Sequence, residues 1–108
     1  VLHPDFIFFE KVGDREMPAI VDPHGLHLAD TMPKLKGIAR YVEDFGESFS
    51  RYWFVSDYKG QATYLDIKDA ETRSVISTAS DAYECFAKCG KKYMDGPLSK
   101  SKDGYRKK

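Results

Sequence analysis

The chain has 108 residues, of which 42% are apolar and 31% are charged, and its formal net charge is zero. This length and composition indicate one globular domain, and the neutral charge gives no global argument for nucleic-acid binding. No apolar run approaches the about 18 residues that a membrane span needs, and no signal peptide is recognisable, so we expect no membrane partner and no export.

The first two predicted elements are the strands of an antiparallel hairpin. Residues 5–12 and 17–24 are apolar, β-prone runs, and the turn sequence 13–16 lies between them. Pro23 ends the second strand because proline cannot donate a hydrogen bond to a ladder. The N-terminal quarter of the chain is therefore predicted to begin the sheet.

Pairing about the centre of that turn brings three polar side chains to one end of the hairpin. It places Asp5 opposite His24 and Ile7 opposite Asp22. Because side chains alternate between the two faces of a strand, Asp22 and His24 point the same way. Opposed side chains lie roughly 5 Å apart. Two carboxylates and an imidazole therefore form a candidate metal site at the open end of the hairpin.

The next predicted element is an amphipathic helix, with Pro33 in its first turn and Gly46 in a left-handed conformation after its end. Its apolar stripe has helical spacing and consists of Leu35, Ile38, Ala39, Val42 and Phe45. We expect this stripe to be buried against the sheet. Lys34, Lys36 and Arg40 are expected to remain accessible near the candidate metal site.

The second half of the chain predicts two more strands and a final helix. Residues 51–58 are an aromatic-rich strand and residues 62–67 a shorter one, whereas residues 69–77 are ambiguous between helix and strand. From Ser80 the pattern is helical, and Gly90 ends the helix. The order predicts an α/β (α+β) domain: a mixed sheet that starts with an N-terminal hairpin and carries flanking helices.

The domain is predicted to cover residues 1–93, and residues 94–108 are predicted to be a basic tail or linker. Cys85 and Cys89 lie one helical turn apart, where a disulfide would constrain little, so we expect a reducing cytoplasm. The chain begins without an initiator Met. We therefore expect the rest of a larger parent polypeptide among its partners.

Pro4-Asp5, the hairpin, Asp22-x-His24 and the following helix resemble the core of the PD-(D/E)XK nucleases. More narrowly, they are similar to the C-terminal nuclease segments of DEAD/DEAH-type helicase restriction proteins, with the type III restriction subunits as the nearest group. The resemblance covers roughly residues 3–58. It implies a restriction-endonuclease-like fold and a Mg²⁺- or Mn²⁺-dependent endonuclease that cleaves DNA as a module of a larger bacterial protein.

The same resemblance implies a role for each residue of the candidate site. Asp5 and Asp22 would hold the metal ion together with the backbone carbonyl of Pro23, and oxygen ligands of this kind suit Mg²⁺. His24 would stand at the position of the family's lysine and position the attacking water. All three of Asp5, Asp22 and His24 are thus candidate catalytic residues.

The chain departs from the pattern of that family in three places. The second acidic residue, Asp22, is Asp rather than the commoner Glu, so its carboxylate reaches about one methylene less far. Histidine replaces the lysine, and Gly37 occupies the helix position where some relatives have Gln, although Tyr41 follows four residues later. We assign contacts with DNA phosphates to three cations of this helix: Lys34, Lys36 and Arg40.

Two alternatives to a nuclease stay open. A catalytically inactive relative would keep the fold as a module for DNA binding or protein docking, and the missing lysine favours that hypothesis. An unrelated small α/β interaction domain is the other, because Asp-Pro-His-Gly is also ordinary turn chemistry. The retained carboxylates favour the enzyme, since negative charge does not help a surface that only binds phosphates.

Overall fold

Five strands and three α-helices make up the part of the chain that the computed structural model describes, residues 6–93. In chain order they are β1 (Phe6–Val12), β2 (Arg15–Pro23), α1 (Thr31–Phe45), β3 (Arg51–Tyr58), β4 (Gln61–Asp66), α2 (Ala70–Thr78), α3 (Ala82–Cys89) and β5 (Lys91–Lys92). A 3-10 turn, Gly46–Ser48, follows α1. Asp5 and the predicted tail, residues 94–108, lie outside the described residues.

The strands form one mixed sheet in the order β1-β2-β3-β4-β5. Every neighbouring pair is antiparallel except β2 and β3, which run parallel and are joined through α1. The predicted α+β class, with its N-terminal hairpin and flanking helices, is confirmed. A parallel pair requires a long crossover, and α1 provides it.

The hydrophobic core lies between the three helices and one face of the sheet. The sheet contributes Ile20, Tyr52, Phe54 and Leu65, all buried, and α1 contributes the buried side chains of its apolar stripe. On the opposite face Trp53 stacks on Tyr64 with ring centroids 3.7 Å apart. None of the helices in residues 6–93 is long and apolar enough to cross a membrane.

The register of the β1–β2 hairpin differs from the predicted one by two residues. Ile7 lies opposite Ile20 rather than opposite Asp22. The cause is the turn, which is only two residues long, Gly13-Asp14, and has Gly13 at a φ of 66°. Two-residue hairpin turns favour glycine with a positive φ. Because the shift is two residues, each side chain stays on its predicted face.

The predicted helix α1 is confirmed, and four residues of its stripe, Leu35, Ile38, Ala39 and Val42, are buried. Phe45 is not buried as predicted: 53% of it is exposed, and its ring packs 5.0 Å from that of Tyr41. Phe45 is the last residue of the helix, beyond the edge of the core. Gly46 has a φ of −62°, not a left-handed conformation, because the chain continues into the 3-10 turn.

The ambiguous segment after β4 is helix α2. The Asp69 carboxylate accepts a hydrogen bond from the Glu71 amide at 3.0 Å, so an N-cap starts the helix. The Asp81 carboxylate accepts from the Glu84 amide at 2.9 Å in the same way and starts α3. These caps decide between helix and strand where the apolar periodicity is weak.

Gly90 ends α3 as predicted, but in an extended conformation with a φ of −67°. A Cβ at this position would lie 2.6 Å from the Phe86 carbonyl oxygen and 2.8 Å from Cγ2 of Thr63. Glycine is therefore required by the close approach of α3 to β4. The chain then forms β5 against β4, a short strand that the sequence did not predict.

Candidate functional site

The candidate site lies at the carboxyl ends of β2 and β3, the one parallel pair among the described strands. Asp22 is the lateral neighbour of Phe54 and Pro23 that of Val55, and the His24 amide donates to the Val55 carbonyl at 2.9 Å. In α/β sheets, ligands bind beyond the carboxyl ends of strands, where connecting loops leave a crevice. The structure therefore puts the predicted Asp22 and His24 at an edge suited to a site.

The Asp22 carboxylate is the central group of this edge and is almost completely buried, with 1% of the residue exposed. It faces the helices because it follows Ile20 by two residues on the same face of β2. Its Oδ1 accepts a hydrogen bond from Nζ of Lys34, in the first turns of α1, at 3.3 Å. A buried carboxylate is costly unless it is paired, and Lys34 supplies the opposite charge.

Tyr52 lies on the same face of β3 and is fully buried beside this ion pair. Burial raises the pKa of its hydroxyl above the ordinary value, and the negative charge of Asp22 raises it further. Tyr52 therefore stays protonated next to Asp22. Among the described residues, the carboxylate therefore has an ammonium group and a neutral phenol beside it.

His24 is oriented by a different partner. Its Nε2 lies 3.1 Å from Oδ1 of Asp30, and its ring packs 5.7 Å from that of Phe54. Thr31 closes the same loop, since its hydroxyl donates to the Gly25 carbonyl at 2.6 Å. The imidazole is thus held at the mouth of the edge by Asp30, at the end of the loop between β2 and α1, and by Phe54 of β3.

An open cleft of about 750 Å³ lies at this edge. Its lining includes His24, Leu26, Val55, Ser56, Asp57 and Tyr83. Both apolar and polar groups line it, which is typical of a binding surface with a few orienting groups. His24 reaches this cleft, whereas Asp22 is buried.

The predicted metal site is not assembled within residues 6–93. No group of three or more His, Cys, Asp or Glu side chains in this range is arranged to hold a metal ion. Asp5 lies outside the described residues, so its predicted approach to Asp22 stays a prediction, as does a metal contact from the carbonyl of Pro23. What the described part shows is Asp22 paired with Lys34.

The three predicted DNA-contacting cations differ in their surroundings. Lys34 is not accessible as predicted: only 27% of its side chain is exposed, because its ammonium group turns inward to Asp22. Lys36 is exposed, and its Nζ donates to the Ser77 carbonyl at 3.4 Å. Arg40 is exposed. Two of the three therefore present a cation at the surface of α1.

The sequence contains a signal for the Asp22–Lys34 pair, although Lys34 was assigned to DNA phosphates instead. An aspartate that ends a buried strand needs a cation, and the first turns of the crossover helix return to the same edge of the sheet. Lys34 is the lysine that lies there, twelve residues after Asp22. Its place on the polar side of α1 suggested solvent instead.

A second candidate surface lies at the other side of the sheet, on β1. Four of its seven residues are large apolar side chains with about half or more of their surface exposed: Phe6 (49%), Ile7 (55%), Phe9 (64%) and Val12 (46%). β1 is the terminal strand of the sheet, so within residues 6–93 only β2 pairs with it. We call the outer side of this strand the β1 edge.

Comparison with known proteins corrects the family suggested by the sequence motifs. Protein YagJ from Escherichia coli (strain K12) is 37% identical to this chain over 87 residues, which is 81% of the chain and 36% of that protein. The chain thus spans about a third of the length of this curated relative. No solved structure matches the chain significantly.

The resemblance to the PD-(D/E)XK nucleases and to helicase restriction proteins is therefore wrong as an assignment of family. It rested on two carboxylates, a histidine and a hairpin, and so few residues recur in unrelated folds. The YagJ family model, in contrast, matches residues 1–94. Together with the identity to the Escherichia coli relative, this match shows that the chain belongs to the YagJ family.

Proposed function

We propose that this domain is a protein-docking module of a longer polypeptide, and that β1 is its docking element. The observation that carries the proposal is the exposure of Phe6, Ile7, Phe9 and Val12 on one edge strand. They are four of the eight large apolar side chains that are exposed among the described residues. Concentration on one strand distinguishes them from the scattered apolar residues that any surface carries.

The energetics of this strand favour a partner. Burying one large apolar side chain contributes roughly 1.5–3 kcal/mol, so the β1 edge offers several kcal/mol to a complementary surface. An edge strand also presents unpaired backbone groups that another strand can satisfy. A strand added to β1 would use both, because main-chain hydrogen bonds give affinity and side-chain contacts give specificity.

The length of the relative supports a modular role. The match covers 36% of Protein YagJ, so that protein has a large part outside the region shared with this chain. We propose the same arrangement here, with the rest of a parent polypeptide attached to the domain. The reducing cytoplasm is our proposed location, because Cys85 and Cys89 are both free thiols.

Accessibility of a cysteine on β1 tests the docking role. In a Cys85→Ala/Cys89→Ala background, Phe9→Cys should react with a maleimide rapidly in the isolated chain at nanomolar concentration. In a full-length family polypeptide that contains this domain, the reaction should slow at least about tenfold. Phe45→Cys is the matched control, since Phe45 is similarly exposed but lies on α1. Equal rates for Phe9→Cys in the two settings would overturn the proposal.

Metal-dependent hydrolysis of DNA is the second candidate function, and the buried Asp22 at the carboxyl ends of β2 and β3 is the observation that favours it. Asp22, with Asp5 and the Pro23 carbonyl, would hold Mg²⁺ or Mn²⁺, and His24 would position water. The ion would lower the pKa of that water. It ranks second because Lys34 already neutralises Asp22.

Two substitutions test the hydrolytic candidate. Asp22→Asn should abolish metal-dependent nicking of plasmid DNA, while Asp44→Asn, which alters an exposed carboxylate on α1, should leave it intact. His24→Lys should keep or raise the activity if His24 acts on the water. Absence of cleavage in the wild type together with no gain in His24→Lys would eliminate this candidate.

A further inference from the structure

We infer that the cleft at the carboxyl ends of β2 and β3 is an esterase-type site, in which Ser56 is the nucleophile and His24 is its general base. Asp30 is a positioning residue that orients the imidazole. The inference goes beyond the docking of β1, because it uses no residue of that strand. It rests on the contact between His24 and Asp30, on the place of Ser56 beside His24, and on the cleft that His24 and Ser56 both line.

The contact with Asp30 fixes which nitrogen of His24 carries the proton. Nε2 lies 3.1 Å from Oδ1 of Asp30, and an ionised carboxylate can only accept a hydrogen bond. Nε2 is therefore the donor of the neutral imidazole, and Nδ1 keeps its lone pair. No hydrogen bond within residues 6–93 uses Nδ1, so this nitrogen is available to take a proton.

Ser56 is the residue of β3 that lies beside His24. The pairing of Pro23 with Val55 continues by one step, since the His24 amide donates to the Val55 carbonyl at 2.9 Å. Neighbouring strands lie about 4.8 Å apart, and His24 and Ser56 fall on the same, helix-facing side of the sheet. The imidazole also leans towards β3, where its ring centroid is 5.7 Å from that of Phe54. The Ser56 hydroxyl and the imidazole are therefore neighbours across one strand spacing.

The Ser56 hydroxyl is nearly buried and has no partner among the described residues. Only 7% of the residue is exposed, it lines the cleft, and its side chain makes no hydrogen bond within residues 6–93. Thr63, which pairs with Ser56 on β4, is buried to the same degree, but its hydroxyl donates to the Gln61 carbonyl at 3.0 Å. A buried polar group without a partner is unfavourable. A molecule bound in the cleft would supply the contact that Ser56 lacks.

These groups suffice for two-step hydrolysis of an ester. The Ser56 oxygen bonds to the acyl carbon while its proton passes to Nδ1 of His24. The bond from the acyl carbon to the alcohol oxygen then breaks, and the alcohol leaves with that proton. Water reacts with the acyl-serine by the same proton path and restores the hydroxyl. One ester and one water thus give one acid and one alcohol.

The negative oxygen that forms on the acyl carbon needs hydrogen-bond donors. Gly25 and His27 also line the cleft, and their backbone amides donate to no other described group. These two amides are therefore the candidate donors to that oxygen.

The lining of the cleft selects the class of ester. Leu26, Val55 and Tyr83 give it an apolar wall that suits a short acyl chain. Asp57 lines the same cleft, and its carboxylate opposes an anionic substrate such as a phosphate ester. We therefore assign an uncharged carboxylic ester with a short apolar acyl group.

Covalent labelling of the purified chain is the first test. An alkyl fluorophosphonate should modify Ser56, and peptide mass spectrometry locates the adduct. Ser56→Ala should abolish this adduct. His24→Gln should slow its formation at least about a hundredfold, the lower end of what a general base contributes. Ser80→Ala, at an exposed serine outside the cleft, should label like the wild type.

Circular dichroism checks that each of these variants folds. A wild type without an adduct at Ser56 would overturn the proposal. An equal labelling rate in His24→Gln would overturn the role of His24 as the base.

Hydrolysis of p-nitrophenyl acetate tests the positioning role of Asp30. Asp30→Asn should lower kcat at least about tenfold, because an amide does not fix the same tautomer of the imidazole. Asp30→Glu keeps the carboxylate and should recover part of the loss, which a residue that only supports the loop would not do. Asp44→Asn, at an exposed carboxylate on α1, is the matched control.

Equal rates in Asp30→Asn and Asp30→Glu would overturn the positioning role, and undiminished turnover in Ser56→Ala would overturn the nucleophile. The assay is run in EDTA, so its outcome is independent of the metal-dependent cleavage of DNA considered above.

Discussion

β1 and β2 are the two strands of one hairpin, and they differ sharply in burial. β1 has the larger apolar side chains, yet none of its residues is fully buried, whereas five of the nine residues of β2 are. The reason is position, because β2 lies between β1 and β3 while β1 ends the sheet. The burial of a strand is thus decided by its neighbours more than by its composition. A strand such as β1, which is apolar but has a neighbouring strand on one side only among the described residues, is therefore a candidate surface for association.

The two strands also differ in which kind of side chain they place against its usual preference for interior or surface. The end of β2 carries Asp22, a charged group inside the protein, and β1 carries Phe9, an apolar group mostly outside it. Each placement is unfavourable by itself. Lys34 compensates the first within the chain. We propose that the docking partner of β1 compensates the second.

The largest expected effect is at Ile20, which is buried in β2 directly opposite Ile7. Ile20→Ala should lower the free energy of unfolding by about 2–5 kcal/mol, because it removes packed methyl groups from the core and leaves a cavity. Urea denaturation monitored by Trp53 fluorescence measures the loss. A loss below about 1 kcal/mol would contradict the burial of Ile20 in the core.

The next effect concerns the ion pair at the end of β2. Lys34→Met should destabilise the fold by about 3 kcal/mol, the lower end for a broken buried pair, because Lys34 is partly exposed while Asp22 is left buried without its cation. The double variant Lys34→Met/Asp22→Asn should recover most of the loss in the same urea titration. Lys36→Met, on the exposed side of α1, is the control. No recovery in the double variant would contradict the pairing.

The pH dependence of stability tests the environment of Asp22 through Tyr52. The folded state raises the pKa of Tyr52, so the unfolded chain loses this proton first as pH rises above about 10, and stability falls. At pH 11 this group should cost about 1 kcal/mol relative to pH 9. The urea midpoints at pH 9 and pH 11 should therefore differ less in Tyr52→Phe than in the wild type. An equal difference between the two midpoints in both proteins would contradict the prediction.

The smallest expected effect is at Ile7. Ile7→Ala should change the stability of the isolated monomer by less than about 0.5 kcal/mol, because the side chain is more than half exposed and loses little contact. Urea unfolding at nanomolar concentration isolates this term from association. A large loss at nanomolar concentration would show that β1 is buried by its own chain.

Sequence patterns predicted the regular elements well and the contacts between them poorly. The bounds of β3 are those predicted, and the stripe of α1 is buried from Leu35 to Val42. Both follow from periodicity within one segment. The hairpin register was wrong by two residues, because it depends on the length of the turn at Gly13-Asp14. The nuclease assignment failed for a related reason, since it joined a few polar residues without the contacts that define a site.

The sequence by itself determined the α+β class, helix α1 and which residues of β1 and β2 share a face, because periods of 2 and 3.6 residues are local properties of the chain. The tertiary structure alone decided that Lys34 pairs with Asp22, that Asp30 orients His24, and that β1 rather than β2 lies at the edge of the sheet. These are relations between segments distant in sequence. They depend on strand order and helix packing, which residue types at fixed spacing do not encode.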